Sequence, residues 1–195
     1  MKRRKVFVVL LVLCCIALFA APSLSVENGR EKITGTFVSR SGRTSGQTRQ
    51  FTLTINQYTP PNQLRELNEA LTNGGQDQLL DKLDDMNAGR IAIGTGIGVR
   101  ANAVIVDPWS EGGRRIIVLY ERDVRFFELR YGTRSSDYKI GYAEIYINSN
   151  GRGEGTLIPA ARVRLRGGNT WEVEDFGVFP ARLIGLRSSG RVEPR

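Results

Sequence analysis

The chain has no histidine, and its two cysteines, Cys14 and Cys15, stand side by side near the N-terminus. The first absence excludes His-ligated zinc and haem as well as Ser-His-Asp and Cys-His catalysis. The second leaves no disulfide for the remainder of the chain, so stability must come from its core. Lysine is also scarce. Beyond the first few residues only Lys32, Lys82 and Lys139 occur. No S-x-x-K motif accompanies them, which leaves a Ser-Lys nucleophile unsupported.

What is present is an ordinary globular balance: 195 residues, 41% hydrophobic and 25% charged. Met1–Lys5 reads MKRRK and is followed by an apolar run from Val6 to Ala21 and then Pro22-Ser23-Leu24-Ser25. A basic start, a short apolar run and small residues at its exit describe a secretory signal peptide over 1–25, cleaved after Ser25 to leave Val26. Leu13 before Cys14 is not the small residue that lipid attachment requires. Export implies a periplasmic or extracellular protein with no transmembrane span once the signal is gone. Cleavage removes four of the 28 basic residues and none of the 20 acidic ones, so the net charge falls from +8 to +4. That small excess, in an exported chain, does not suggest a nucleic-acid partner.

The rest, 26–195, reads as one β-rich domain. Val26–Glu31 is polar and is expected to be a frayed arm. Strands are expected over Ile33–Ser39 and Phe51–Tyr58, where Phe51, Leu53 and Ile55 alternate with polar neighbours. Pro60-Pro61 ends this pattern and Asn62 can cap a helix. Leu64, Leu67, Ala70 and Leu71 lie at helical spacing, and Leu79, Leu80, Leu83 and Met86 repeat it after Gly74-Gly75. A two-helix hairpin over about 62–87 is therefore expected, its apolar stripe lying on a sheet.

Further strands are expected over Ile91–Ile97, Ala103–Val106, Arg115–Tyr120, Phe126–Arg130, Ile140–Ile147, Thr156–Arg166 and Trp171–Val178, with a loose tail over 187–195. Val104-Ile105-Val106 and Ile116–Leu119 lack alternation and should be central strands covered on both faces. The fold expected is α+β, predominantly antiparallel: a barrel or strongly curved sheet of about eight or nine strands with the helical hairpin against it.

One hairpin can be placed in register. With Gly167-Gly168-Asn169 as a three-residue loop, Arg166 faces Thr170, Leu165 faces Trp171, Arg164 faces Glu172, Val163 faces Val173 and Arg162 faces Glu174. Apolar then meets apolar on one face and opposite charges meet on the other.

The candidate sites are few. Arg162, Arg164 and Arg166 form a basic stripe able to hold a sulfate, phosphate or uronate, although Glu172 and Glu174 neutralise much of it. Gly94-Thr95-Gly96-Ile97-Gly98 lacks the following helix that a phosphate loop needs, and reads as a bend. Asn148–Glu154 has oxygen ligands but Arg152 among them, and reads as a hairpin turn rather than a calcium loop. Asp175 is the one carboxylate kept as a candidate acid. Tyr131, Tyr138, Tyr142, Tyr146, Trp109 and Trp171 could line a sugar or lipid pocket; Tyr142 and Tyr146 share a face with Glu144. No metal or cofactor is implied.

Gly153–Arg162 (GEGTLIPAAR), Val173–Arg182 (VEDFGVFPAR) and Gly74–Leu80 (GGQDQLL) resemble a group of bacterial predicted secreted proteins with no assigned function. The resemblance implies export and no transferable chemistry. The leading reading is an exported non-enzymatic module that binds a small amphiphile, glycan or envelope component in a barrel mouth. The alternatives are a His-independent hydrolase of envelope polymers and an envelope adaptor.

Overall fold

The computed structural model describes residues 30–40, 45–122 and 138–190. The expected signal segment, the strand expected over Phe126–Arg130, Tyr131 and the last five residues lie outside the described residues. Among the described residues ten strands form one antiparallel sheet: β1 (Glu31–Val38), β2 (Thr48–Ile55), β3 (Gly89–Ile93), β4 (Val99–Ala101), β5 (Ala103–Trp109), β6 (Gly113–Glu121), β7 (Ile140–Ile147), β8 (Arg152–Arg166), β9 (Thr170–Phe176) and β10 (Ala181–Ser189). Their spatial order is β4-β3-β2-β1-β10-β8-β7-β6-β5, with β9 paired to β8 alone.

This hydrogen-bonded path is open, so of the two expected forms, barrel or strongly curved sheet, the closed barrel is not formed and the sheet is an open, curled one. Its two end strands, β4 and β5, are nevertheless consecutive in sequence, separated by Asn102. The curl brings both halves of the sheet onto one core. Ile33, Phe51 and Leu53 from one half join Ile116, Val118 and Ile145 from the other. Glycine permits close approach between β7 and β8: a Cβ on Gly155 would stand 2.4 Å from the Glu144 carbonyl oxygen.

Helix α1 (Pro61–Asp84) covers part of the opposite face. The expected hairpin of two helices is instead one helical element interrupted at Gly75, where φ is 65° and ψ −152°. Only glycine adopts that backbone without strain. Pro60, not Asn62, occupies the N-cap, with Pro61 in the first helical position, where its missing N–H costs nothing. Leu67, Leu71, Leu79 and Leu83 pack with Ile105, Ile117, Leu119 and Trp171 in a second core. Thus Val104 and Ile105, and likewise Ile116 and Ile117, are buried on opposite faces. β5 is, however, an end strand of the path rather than a central one. Pro108, which has no N–H to donate, is suited to that edge.

Three expectations about the chain ends and the final hairpin are corrected or refined. Glu31 is not part of a frayed arm: it begins β1 and is fully buried. Arg187–Ser189 is not loose tail but the end of β10, paired with β1. The final hairpin has the expected pairs Arg166–Thr170, Leu165–Trp171, Arg164–Glu172 and Val163–Val173. A bulge then sets Arg162 opposite Asp175 instead of Glu174.

Candidate functional site

The described arginine stripe is largely neutralised where it stands. Arg164 Nε lies 2.7 Å from Glu172, Arg166 Nε 3.5 Å from the same carboxylate, and Arg162 Nε 3.5 Å from Glu174. The bulge therefore moves the backbone partner of Arg162 without breaking its ion pair. All three arginines are exposed, where such pairs contribute about 0–1 kcal/mol each.

Asp175 is exposed and accepts a hydrogen bond from the Tyr138 hydroxyl at 2.5 Å and one from the Phe176 N–H at 2.8 Å. The Tyr138 hydroxyl, then the backbone N–H, hold its carboxyl below the ordinary aspartate range. A general acid working near neutral pH needs the opposite shift. Phe176 and Phe179 lie beside it, both exposed, with ring centroids 6.1 Å apart.

Tyr142 and Tyr146 part company despite sharing a face. Tyr142 is buried beneath α1 as a packing residue, and burial pushes its phenol well above the ordinary range. Tyr146 stands four residues along β7, where helical cover gives way to a charged row. There Arg115 Nε donates to Glu144 at 2.5 Å, its Nη2 donates to the Trp171 carbonyl at 2.7 Å, and its Nη1 lies 3.7 Å from Asp107. Register explains this row, because Asp107, Arg115, Tyr146 and Glu154 are successive cross-strand neighbours on β5, β6, β7 and β8. The Tyr146 hydroxyl donates to Glu144 at 3.0 Å. Burial first, and then the Glu144 carboxylate, raise the Tyr146 phenol, so it keeps its proton and serves as a donor.

Beyond this row opens a cleft of ≈ 520 Å³, within the size range of small-molecule sites. Trp109 and Tyr146 form one wall, their rings 4.8 Å apart and inclined at 54°. Asn148, Arg152, Glu154 and Ile184 supply much of the remainder. Trp109 is 45% exposed and Ile184 38%, an aromatic ring and an aliphatic chain left open to an incoming group. The Asn148–Gly153 segment is the expected turn. Asn148 Oδ1 accepts from the N–H groups of Asn150 and Arg152, both at 3.0 Å, so this oxygen is engaged by its own loop. Gly94–Gly98 likewise joins β3 to β4 as a turn.

The structure thus brings Tyr146 to a cleft, packs Tyr142 away, and leaves the arginine stripe and Asp175 elsewhere on β8 and β9. Sequence reasoning named Trp109 only among six aromatics, and it missed Arg152, Glu154 and Ile184 as lining residues. The alternation of Glu154 and Thr156 on β8 was a usable signal for the face, but not for the strands that converge there.

No match to this chain was found among family models, curated proteins or solved structures. Among the described residues, no helix is long and apolar enough to cross a membrane.

Proposed function

We propose that the protein is an exported, non-enzymatic binding module that holds a glycan of the cell envelope in the cleft beside Trp109. The observation that carries this reading is the half-exposed Trp109 ring seated on Tyr146 at the wall of a ≈ 520 Å³ cleft. Aromatic faces suit the apolar faces of sugar rings, while Asn148, Arg152 and Glu154 offer donors and acceptors to hydroxyls. The interior of the curled sheet offers no comparable support for a ligand in a barrel mouth, because Phe51, Leu53, Ile116 and their neighbours fill it. For the hydrolase alternative, the downward shift of Asp175 removes the argument for its candidate acid.

The test is calorimetric titration of the chain beginning at Val26 with soluble envelope oligosaccharides, together with the Trp109→Ala variant. Binding by the parent chain and at least about tenfold weakening in the variant are expected, since an aromatic contact worth about 1.4 kcal/mol corresponds to that factor. Heat of binding from no oligosaccharide, or equal binding by both proteins, would overturn the reading. N-terminal sequencing of secreted material tests the export half: Val26 is expected, and retained Met1 would defeat it.

A further inference from the structure

The cleft has an uneven charge. Glu154 lines it, but Arg182 Nη2 lies 3.8 Å from the Glu154 carboxylate. Behind Tyr146, Arg115 is matched by Glu144 and Asp107. Arg152 differs from both. Arg152 lines the cleft, is exposed, and its guanidinium has no ion pair or hydrogen bond to any of the described residues. Its backbone is nevertheless held firmly, with its N–H on Asn148 Oδ1 at 3.0 Å and its carbonyl accepting from the Asn148 N–H at 2.8 Å. A cation held on a fixed backbone at a cleft whose other lining charge, Glu154, is paired suits an incoming anion.

We infer that the ligand is an acidic saccharide, with Arg152 pairing a sugar carboxylate while Trp109 meets a ring face. This deepens the proposed glycan-binding reading and rests on it. The guanidinium matches a carboxylate with two parallel N–H donors, a geometry that a hydroxyl cannot reproduce. Glu154 sets the complementary limit. Its carboxylate accepts hydroxyls and repels a second acid, so the cleft takes one carboxylate beside otherwise neutral groups. A uronate and a sugar bearing a lactyl ether are two saccharides that carry such a group.

The experiment compares three probes on the chain from Val26: a disaccharide carrying a single galacturonate, its methyl ester, and a muramyl disaccharide. At low salt one of the two acids should bind about tenfold more tightly than the ester, the scale of a charge-assisted hydrogen bond, and which acid does so identifies the source. In Arg152→Gln that acid should fall to the affinity of the ester, whereas Arg152→Lys should keep part of the preference. Added salt should reduce the preference in the parent chain. Equal binding of acids and ester to the parent chain, or a preference that survives Arg152→Gln, would overturn the inference. Trp109→Ala separates it from the reading beneath: if that variant binds every probe as the parent does, the cleft assignment itself has failed.

Discussion

Gln76 holds the backbone of Val163 with both ends of its side-chain amide. Its Nε2 donates to the Val163 carbonyl at 2.6 Å, and the Val163 N–H donates to its Oε1 at 3.2 Å. β7 begins at Ile140, opposite Ala161, so β8 runs on past its neighbour with a ladder edge to be satisfied. Among the described residues no strand pairs with Val163 on that edge, and the amide takes that place. The helix break at Gly75 falls immediately before it, and Asp77, the next residue, meets Lys139 at 2.7 Å. The Gly74–Leu80 segment is therefore a fastening between α1 and the sheet.

Replacing Gln76 by alanine should cost about 1–3 kcal/mol, the penalty for part-buried backbone groups stripped of their partner. Urea denaturation is the measurement. The midpoint should fall while the slope stays constant. A change below about 0.5 kcal/mol, the range of an ordinary surface substitution, would show that solvent serves Val163 as well as Gln76 does.

Glu31 and Arg114 tie β1 to β6 through the core. Arg114 Nη1 donates to Glu31 at 2.9 Å, Nη2 binds the other carboxylate oxygen, and the Tyr58 and Ser188 hydroxyls donate to Glu31 at 2.7 and 2.6 Å. Removing one partner of a buried pair costs about 3–5 kcal/mol, because the other is left desolvated. Glu31→Ala should lose stability on that scale, and Glu31→Ala with Arg114→Ala should lose clearly less than the two single costs added together. Strictly additive losses would count against the tie.

Arg164 and Glu172 are direct cross-strand neighbours in ion-pair contact at 2.7 Å. Reversing either charge should destabilise modestly, and reversing both should recover most of the loss, with a coupling of about 0.5 kcal/mol that fades in salt. Trp171→Ala, on the buried face of the same hairpin, should cost about 3–5 kcal/mol. Comparable effects from the two faces would contradict the observed burial.

Asp175 should titrate below an ordinary aspartate, as its Tyr138 hydrogen bond requires. A carboxyl whose folded value is depressed favours the fold above its unfolded value of about 3.9, and loses that contribution as pH falls through the folded value. Tyr138→Phe removes the largest cause, so the Asp175 titration seen by carboxyl NMR should move upward. An unmoved curve would assign the shift to the Phe176 N–H instead.

Local chemistry made some of this structure legible and geometry hid the rest. The final hairpin could be placed because Arg164 and Glu172 reward only one register. Its slip at Arg162 carries no mark in the sequence, since the extra residue, Glu174, is another acid. β10 escaped notice for a related reason. Leu183 and Leu186 are both buried in the same core although three positions apart, because the pairing shifts around Gly185, whose φ is 61°. The helix period survived Gly75, so leucine spacing gave the right buried face but suggested two helices. The cleft was the least visible feature. Trp109 meets Tyr146 from two strands away, and Arg152 reaches the same cleft from a third strand.

The placement of β1 between β2 and β10 has a consequence for how this protein is made. Lys32 pairs with Ser189, so β1 must wait for a strand made much later in the chain. Until then β1 is paired on one side alone, as the open edge of the β1–β4 meander. Closing contacts across most of the chain is also slow, because the loop entropy must be lost before the pairing can compensate. The junction of the two halves of the sheet should therefore form late, after each half has its local pairings.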